Sequence, residues 1–201
     1  MKMYVPIGSV VADVTFGSGV FWKKVPKSDY SLRASDIQSG TDCRKLPYEE
    51  SSLDAIILDP PYMEGFYRRK VEHLAGNGTY AAFRKHYSNG EATLEGPKWH
   101  GAVLDLYYKA GKEAHRTLKA NGIFIVKCQD EVSANKQNLT HVEIINNYAN
   151  LGFKPEDIFV VVRTNKPAAS TINLQKHARK NHSYFLVFRK PKVERKPTAS
   201  R

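Results

Sequence analysis

The chain has 201 residues, 41% hydrophobic and 25% charged, a globular balance with enough length for one domain and its core. No apolar run reaches the length of a membrane span, and Met1 to Pro6 lacks a signal-peptide core; Cys43 and Cys128 stand alone rather than in a zinc or disulfide pattern. A soluble, cytoplasmic protein without membrane contact or a bound metal is therefore expected, and its net charge of +11 favours a polyanionic partner such as nucleic acid.

Val10 to Val14 reads as a short strand ending in the glycine turn Thr15-Phe16-Gly17-Ser18-Gly19. Tyr30 to Ser35 reads as a second strand, closing at Asp36. Leu53 to Leu58 is the clearest strand; it must stop at Asp59-Pro60-Pro61-Tyr62, because proline cannot sit in a central strand. Residues 63 to 100 are too long for an ordinary connection and form a candidate substrate-binding insertion. There Arg68, Arg69, Lys70, Arg84 and Lys85 lie among Tyr67, Tyr80, Phe83, Tyr87 and Trp99, a mixture suited to phosphate contacts and base stacking.

Leu104 to Leu118 has apolar residues at helical spacing and is stopped by Asn121-Gly122. Ile123 to Lys127 is a buried-type strand, Thr140 to Leu151 a helix ended by Gly152, and Ile158 to Arg163 and Tyr184 to Phe188 two closing strands. The alternation predicts an α/β fold: a largely parallel sheet, helices on both faces and an antiparallel hairpin at one edge. One domain over residues 1–190 and a basic, disordered tail over 191–201 are expected.

In such a sheet, ligands bind beyond the carboxyl ends of the strands. Phe16, Gly17 and Gly19 stand at one such end, where glycines let the backbone approach a ligand, although a plain glycine turn has the same residues. Asp36 stands where an acid can accept hydrogen bonds from a ribose diol, and Asp42 lies just before the next strand. Asp59-Pro60-Pro61-Tyr62 is the most specific feature. The lone pair of an exocyclic base amine is delocalised into the ring, so methylation needs that pair redirected at the methyl carbon. The Asp59 carboxylate and the Pro60 carbonyl supply acceptors for the two amine hydrogens, Pro61 stiffens the backbone, and Tyr62 offers a face for the base.

These residues resemble the amino-methyltransferases that act on adenine N6 or cytosine N4 of DNA. Asp13 to Gly19 is similar to the family's Asp-Pro-Phe-x-Gly-x-Gly, with Val14 and Thr15 as departures; Leu53 to Tyr62 is similar to its Phe-Asp-x-Ile-x-x-Asp-Pro-Pro-Tyr. Arg116 to Gly122 resembles the helix end before the fifth strand, and Lys176 to Phe188, with Arg179 and Lys180, the closing loop and last strand. The resemblance implies a Rossmann-like seven-stranded methyltransferase sheet and S-adenosylmethionine as cofactor. It implies Asp13, Phe16, Gly17, Gly19, Asp36 and Asp42 around that cofactor, and Asp59, Pro60, Pro61 and Tyr62 as the catalytic element. Arg68, Arg69, Lys70, Arg84, Lys85, Arg179 and Lys180 are the candidate nucleic-acid contacts, with DNA ahead of RNA and adenine N6 ahead of cytosine N4. Carbon-5 cytosine methylation is disfavoured, because neither cysteine follows a proline; a nicotinamide cofactor would leave Asp-Pro-Pro-Tyr unexplained. No separate target-recognition region is visible beyond residues 63–100 and the loop 164–181, so sequence selectivity is expected to be low or to be supplied by a partner subunit or second copy. An RNA amino-methyltransferase and a non-catalytic nucleic-acid-binding partner remain the competing readings. Trp22 reads as packing, Trp99-His100 as a base-stacking wedge or a helix flank, and His177 and His182 as loop residues.

Overall fold

A computed structural model describes residues 1–60, 97, 100–133, 135–164, 176–178 and 180–192. Its strands are β1 (Val10–Asp13), β2 (Ser31–Ala34), β3 (Leu53–Leu58), β4 (Leu118–Cys128), β5 (Glu131–Ser133), β6 (Lys136–Asn138), β7 (Lys154–Val162) and β8 (His182–Arg189). The α-helices are α1 (His100–Thr117) and α2 (Thr140–Asn150), with two 3-10 turns at Val20–Lys24 and Lys27–Asp29.

Six strands form the main sheet in the order β2-β1-β3-β4-β8-β7, and β5 and β6 form a separate hairpin. The first four run parallel, and β8 pairs antiparallel with both β4 and β7. The mostly parallel α/β sheet and its antiparallel edge pair are as expected, whereas among the described residues the sheet has six strands rather than seven.

The helical cover also differs from expectation. Val103, Tyr107, Ala110 and Ala114 recur at the spacing of one helix face, and with Ile144 and Tyr148 of α2 they seal one side of the sheet over Ile56, Leu58, Phe124 and Val126. The other side, carrying Val11, Ala55, Ile57 and Ile125, is covered by Val5, Trp22 and Tyr30 from the N-terminal segment and the 3-10 turns. Among the described residues the α-helices therefore lie on one face only. The short Val20–Lys24 turn takes the place of a longer helix after β1.

Helix ends follow local chemistry. Gly152, at φ 97°, closes α2: its N–H donates to the Ala149 carbonyl, and the Phe153 N–H reaches back to Tyr148. α1 stops earlier than Asn121-Gly122, at Thr117. Asn121, at φ 63°, instead sits where the β3–β4 register shifts between Leu53↔Leu118 and Ala55↔Ile123. Arg116 donates to the carbonyls of Leu46 and Tyr48 and pairs with Glu113, which fixes the approach to β3. Among the described residues no helix is long and apolar enough to cross a membrane.

Candidate active site

The carboxyl ends of β1, β2 and β3 gather Asp13, Phe16, Gly17, Gly19, Asp36, Asp59 and Pro60 from among the sequence-derived site residues. At the end of β1, Asp13 is 2% exposed and accepts hydrogen bonds from the Thr15 N–H (3.1 Å) and the Trp22 indole (2.7 Å). Burial pushes its carboxyl up to about 6 against those two donors, and the nearby charges of Asp59 and Asp36 push the same way. Trp22 does pack in the core, and it also fixes this acid.

The glycine loop folds onto β2. The Phe16 N–H donates to the Ser35 carbonyl (3.0 Å), and the Gly17 N–H donates to Asp36 Oδ2 (3.1 Å). Gly17 and Gly19 have φ of 51° and 70°, a region that disfavours side chains. A Cβ on Gly19 would also lie 2.9 Å from the Phe16 ring. The other oxygen of Asp36 accepts from the Ser39 N–H at 2.8 Å. Asp42 lies further along the same segment. Burial works against its charge, but Arg44, bonded through Nε and Nη2, holds the carboxyl below its ordinary value.

Asp59 follows β3 directly. Its N–H donates to Thr15 Oγ1 at 2.6 Å, which ties the start of Asp-Pro-Pro-Tyr to the glycine loop. Its Oδ2 accepts from Lys127 Nζ at 2.8 Å. Burial raises the proton affinity of Asp59, and Lys127 opposes that rise. Pro60 is buried beside it. Pro61, Tyr62, Arg68, Arg69, Lys70, Arg84, Lys85, Trp99 and Arg179 lie outside the described residues. Lys180 is described and half-buried, and the His177 ring donates to the Asn135 carbonyl (3.0 Å). His100 opens α1 with one ring nitrogen on Glu131 (2.7 Å) and the other on Glu143 (3.1 Å); here it serves as a tie between elements.

Sequence reasoning missed Thr15 and Lys127. The signal for Lys127 is positional: β3 and β4 are parallel with Leu58 opposite Val126, so the residues that follow, Asp59 and Lys127, stand side by side. It also missed a polar cluster beyond β4. There the carboxylate of Asp130 meets the His141 ring (2.7 Å) and accepts from the Tyr184 hydroxyl (3.3 Å), which His182 reaches from the far side (2.9 Å).

A family model described as DNA methylase, of the N6/N4 type, matches residues 53–200. The chain belongs to the N6/N4 DNA methylase family. No curated protein matches it. Among solved structures, an S-adenosylmethionine-dependent methyltransferase of Methanosarcina mazei is similar with 10% identity over 94% of this chain and 96% of that one, TM-score 0.55. A proposed methyltransferase of Bacillus halodurans has 11% identity over 96% and 97%, TM-score 0.51. At those identities they show the methyltransferase fold alone. A proposed DNA modification methylase of Thermus thermophilus has 15% identity and a TM-score of 0.46; 95% of this chain is covered but only 56% of that protein, so the chain spans little more than half its length.

Membership in this family makes S-adenosylmethionine the cofactor, and the residues present suit it. A sulfonium cation is favoured where carboxylates gather, and Asp13, Asp36 and Asp59 lie close enough for the latter two to raise the proton affinity of Asp13. Asp36 accepts one hydrogen bond on each oxygen and has lone pairs left for a ribose diol, whereas both oxygens of Asp42 are taken up by Arg44.

Proposed function

We propose that this N6/N4 methylase transfers methyl from S-adenosylmethionine to the exocyclic amino nitrogen of a base in DNA, adenine N6 ahead of cytosine N4. The observation that carries the reading is Asp59, held at the end of β3 through Thr15 of the glycine loop and paired with Lys127. S-adenosylmethionine supplies an electrophilic methyl carbon on sulfur. Asp59 and the Pro60 carbonyl accept the two amine hydrogens, so the nitrogen lone pair turns out of the ring toward that carbon. As nitrogen gains positive charge the Asp59 carboxylate stabilises it, an interaction that strengthens in the transition state. The surplus proton leaves through Asp59 to water.

In this reading Asp13, Phe16, Gly17, Gly19, Asp36 and Asp42 line the cofactor side. Tyr62 stacks the base, and the basic residues of 63–100 with Arg179 and Lys180 meet phosphates. The order of motifs, glycine loop before Asp-Pro-Pro-Tyr, supports adenine. A second copy or a partner subunit is the proposed source of sequence selectivity.

Labelled methyl transfer to unmethylated DNA and to total RNA, followed by nucleoside mass spectrometry, tests the proposal. N6-methyldeoxyadenosine is expected, and Asp59→Ala is expected to abolish it while leaving cofactor binding near wild type. Label in RNA alone would overturn the DNA assignment, and loss of cofactor binding in a folded Asp59→Ala variant would overturn the placement of Asp59.

A further inference from the structure

We propose that Lys127 is a positioning residue for this methylation: its ammonium pins one oxygen of Asp59 and balances its charge, leaving the other oxygen for the amine hydrogen. The inference rests on the function proposed above. It begins with register. Leu58 pairs with Val126 in parallel strands, which sets Asp59 and Lys127 abreast at the edge where ligands bind. Their nitrogen and oxygen are 2.8 Å apart, and the side chains are only 24% and 20% exposed, so this is not a solvated surface pair. The Lys127 ammonium also lies 5.8 Å from the centre of the Phe185 ring, on the strand that pairs with β4.

An enclosed carboxylate without a counter-charge takes up a proton. It then presents a hydroxyl where the target amine needs an acceptor. An unpaired ammonium in the same place would repel the amine as it becomes positive. Together the two groups are close to neutral and still offer a fixed acceptor oxygen. Other charged or titratable groups near Asp59 are Asp13 on β1, Asp36 after β2, and Cys128 and Asp130 at the end of β4. Asp59 and Asp36 both raise the proton affinity of Asp13, burial pushes the Cys128 thiol above the physiological range, and among the described residues Lys127 is the group that favours the charged form of Asp59.

The test uses the full chain and four variants: Lys127→Met, Lys127→Arg, Asp59→Asn and the Asp59→Asn/Lys127→Met double. Lys127→Met is expected to lower kcat roughly 10- to 100-fold at pH 7 and to recover toward wild type as pH rises, because the acid limb of its pH profile moves upward. Lys127→Arg should stay within a few-fold of wild type at every pH. The double variant, with both charges gone, should exceed Asp59→Asn alone, which strands the ammonium. Titration of the Asp59 carboxyl by NMR, without cofactor or DNA, should show a higher midpoint in Lys127→Met than in wild type.

An unchanged Asp59 midpoint overturns the proposal. So does a loss of kcat that is equal at all pH values, which marks a purely structural lysine. A raised KM for DNA with a shallower salt dependence and an unmoved pH profile would make Lys127 a phosphate ligand instead. If wild type transfers no methyl group, the function proposed above fails, while the NMR midpoint still decides the role of Lys127.

Discussion

β3 and β7 are both apolar strands of one sheet, and they live in opposite environments. Every residue of β3 but Asp54 is buried, from Leu53 to Leu58, and the strand delivers Asp59 to the site. In β7, Ile158, Phe159, Val160, Val161 and Val162 are all at least 41% exposed. The difference is one of position. β3 has strands on both sides and α1 above it; among the described residues β7 is the last strand in the order, paired with β8 alone. Apolar runs mark both segments as strands, and rank within the sheet decides which of the two becomes core.

That contrast can be broken by substitution. Ile56→Ala, in the fully buried strand, should destabilise by about 2–5 kcal/mol in chemical denaturation, through lost transfer energy and a cavity. A cost comparable to an exposed site would mean that β3 is not core. The second prediction concerns Asp13, buried beside β3. Its folded-state pKa, about 6, stands above the ordinary 3.8, so its contribution to stability is full below about pH 4 and is lost as pH rises through about 6. The unfolding free energy of wild type relative to Asp13→Asn should therefore fall by about 2 kcal/mol between pH 4 and pH 7, whatever the offset between the two proteins. A flat difference would contradict the burial of that acid.

Gly111→Ala sharpens the comparison on the helical cover of the buried half. Helix propensity alone predicts a gain of about 1 kcal/mol. A Cβ there would overlap the ring of Tyr148, itself fully buried and stacked on Phe124, so a net loss of about 1–3 kcal/mol is expected in thermal melts. A gain would show that the α1–α2 contact can relax. The smallest effect belongs to the edge: Val160→Ala should change stability by no more than about 0.5 kcal/mol, and a larger loss would show that β7 is covered in solution.

Much of this arrangement is legible in the residues. Proline after Asp59 ends β3 where the sequence says it must, and Gly152 closes α2. β7 was harder to place: it begins at Lys154, four residues before its first Ile, because an exposed edge strand tolerates Lys-Pro-Glu-Asp, which reads as a turn. The β5–β6 hairpin, rich in Glu, Lys, Gln and Asn, carries no alternation to betray it. In the candidate site, Asp13, Gly17, Asp36 and Asp59 stand out in the sequence by type and spacing. Thr15 and Lys127 lie beside Asp59 across strands, and only the order and register of the sheet reveal that.

The sheet order has a further consequence for synthesis. Among the described strands β8 is made last, yet it lies between β4 and β7. Until residues 182–189 emerge, β7 lacks its one neighbour among the described strands, and its five exposed apolar side chains wait on an unfinished sheet. A chain cut before His182 loses two strands rather than one, since the strand made earlier is held only by the strand made last.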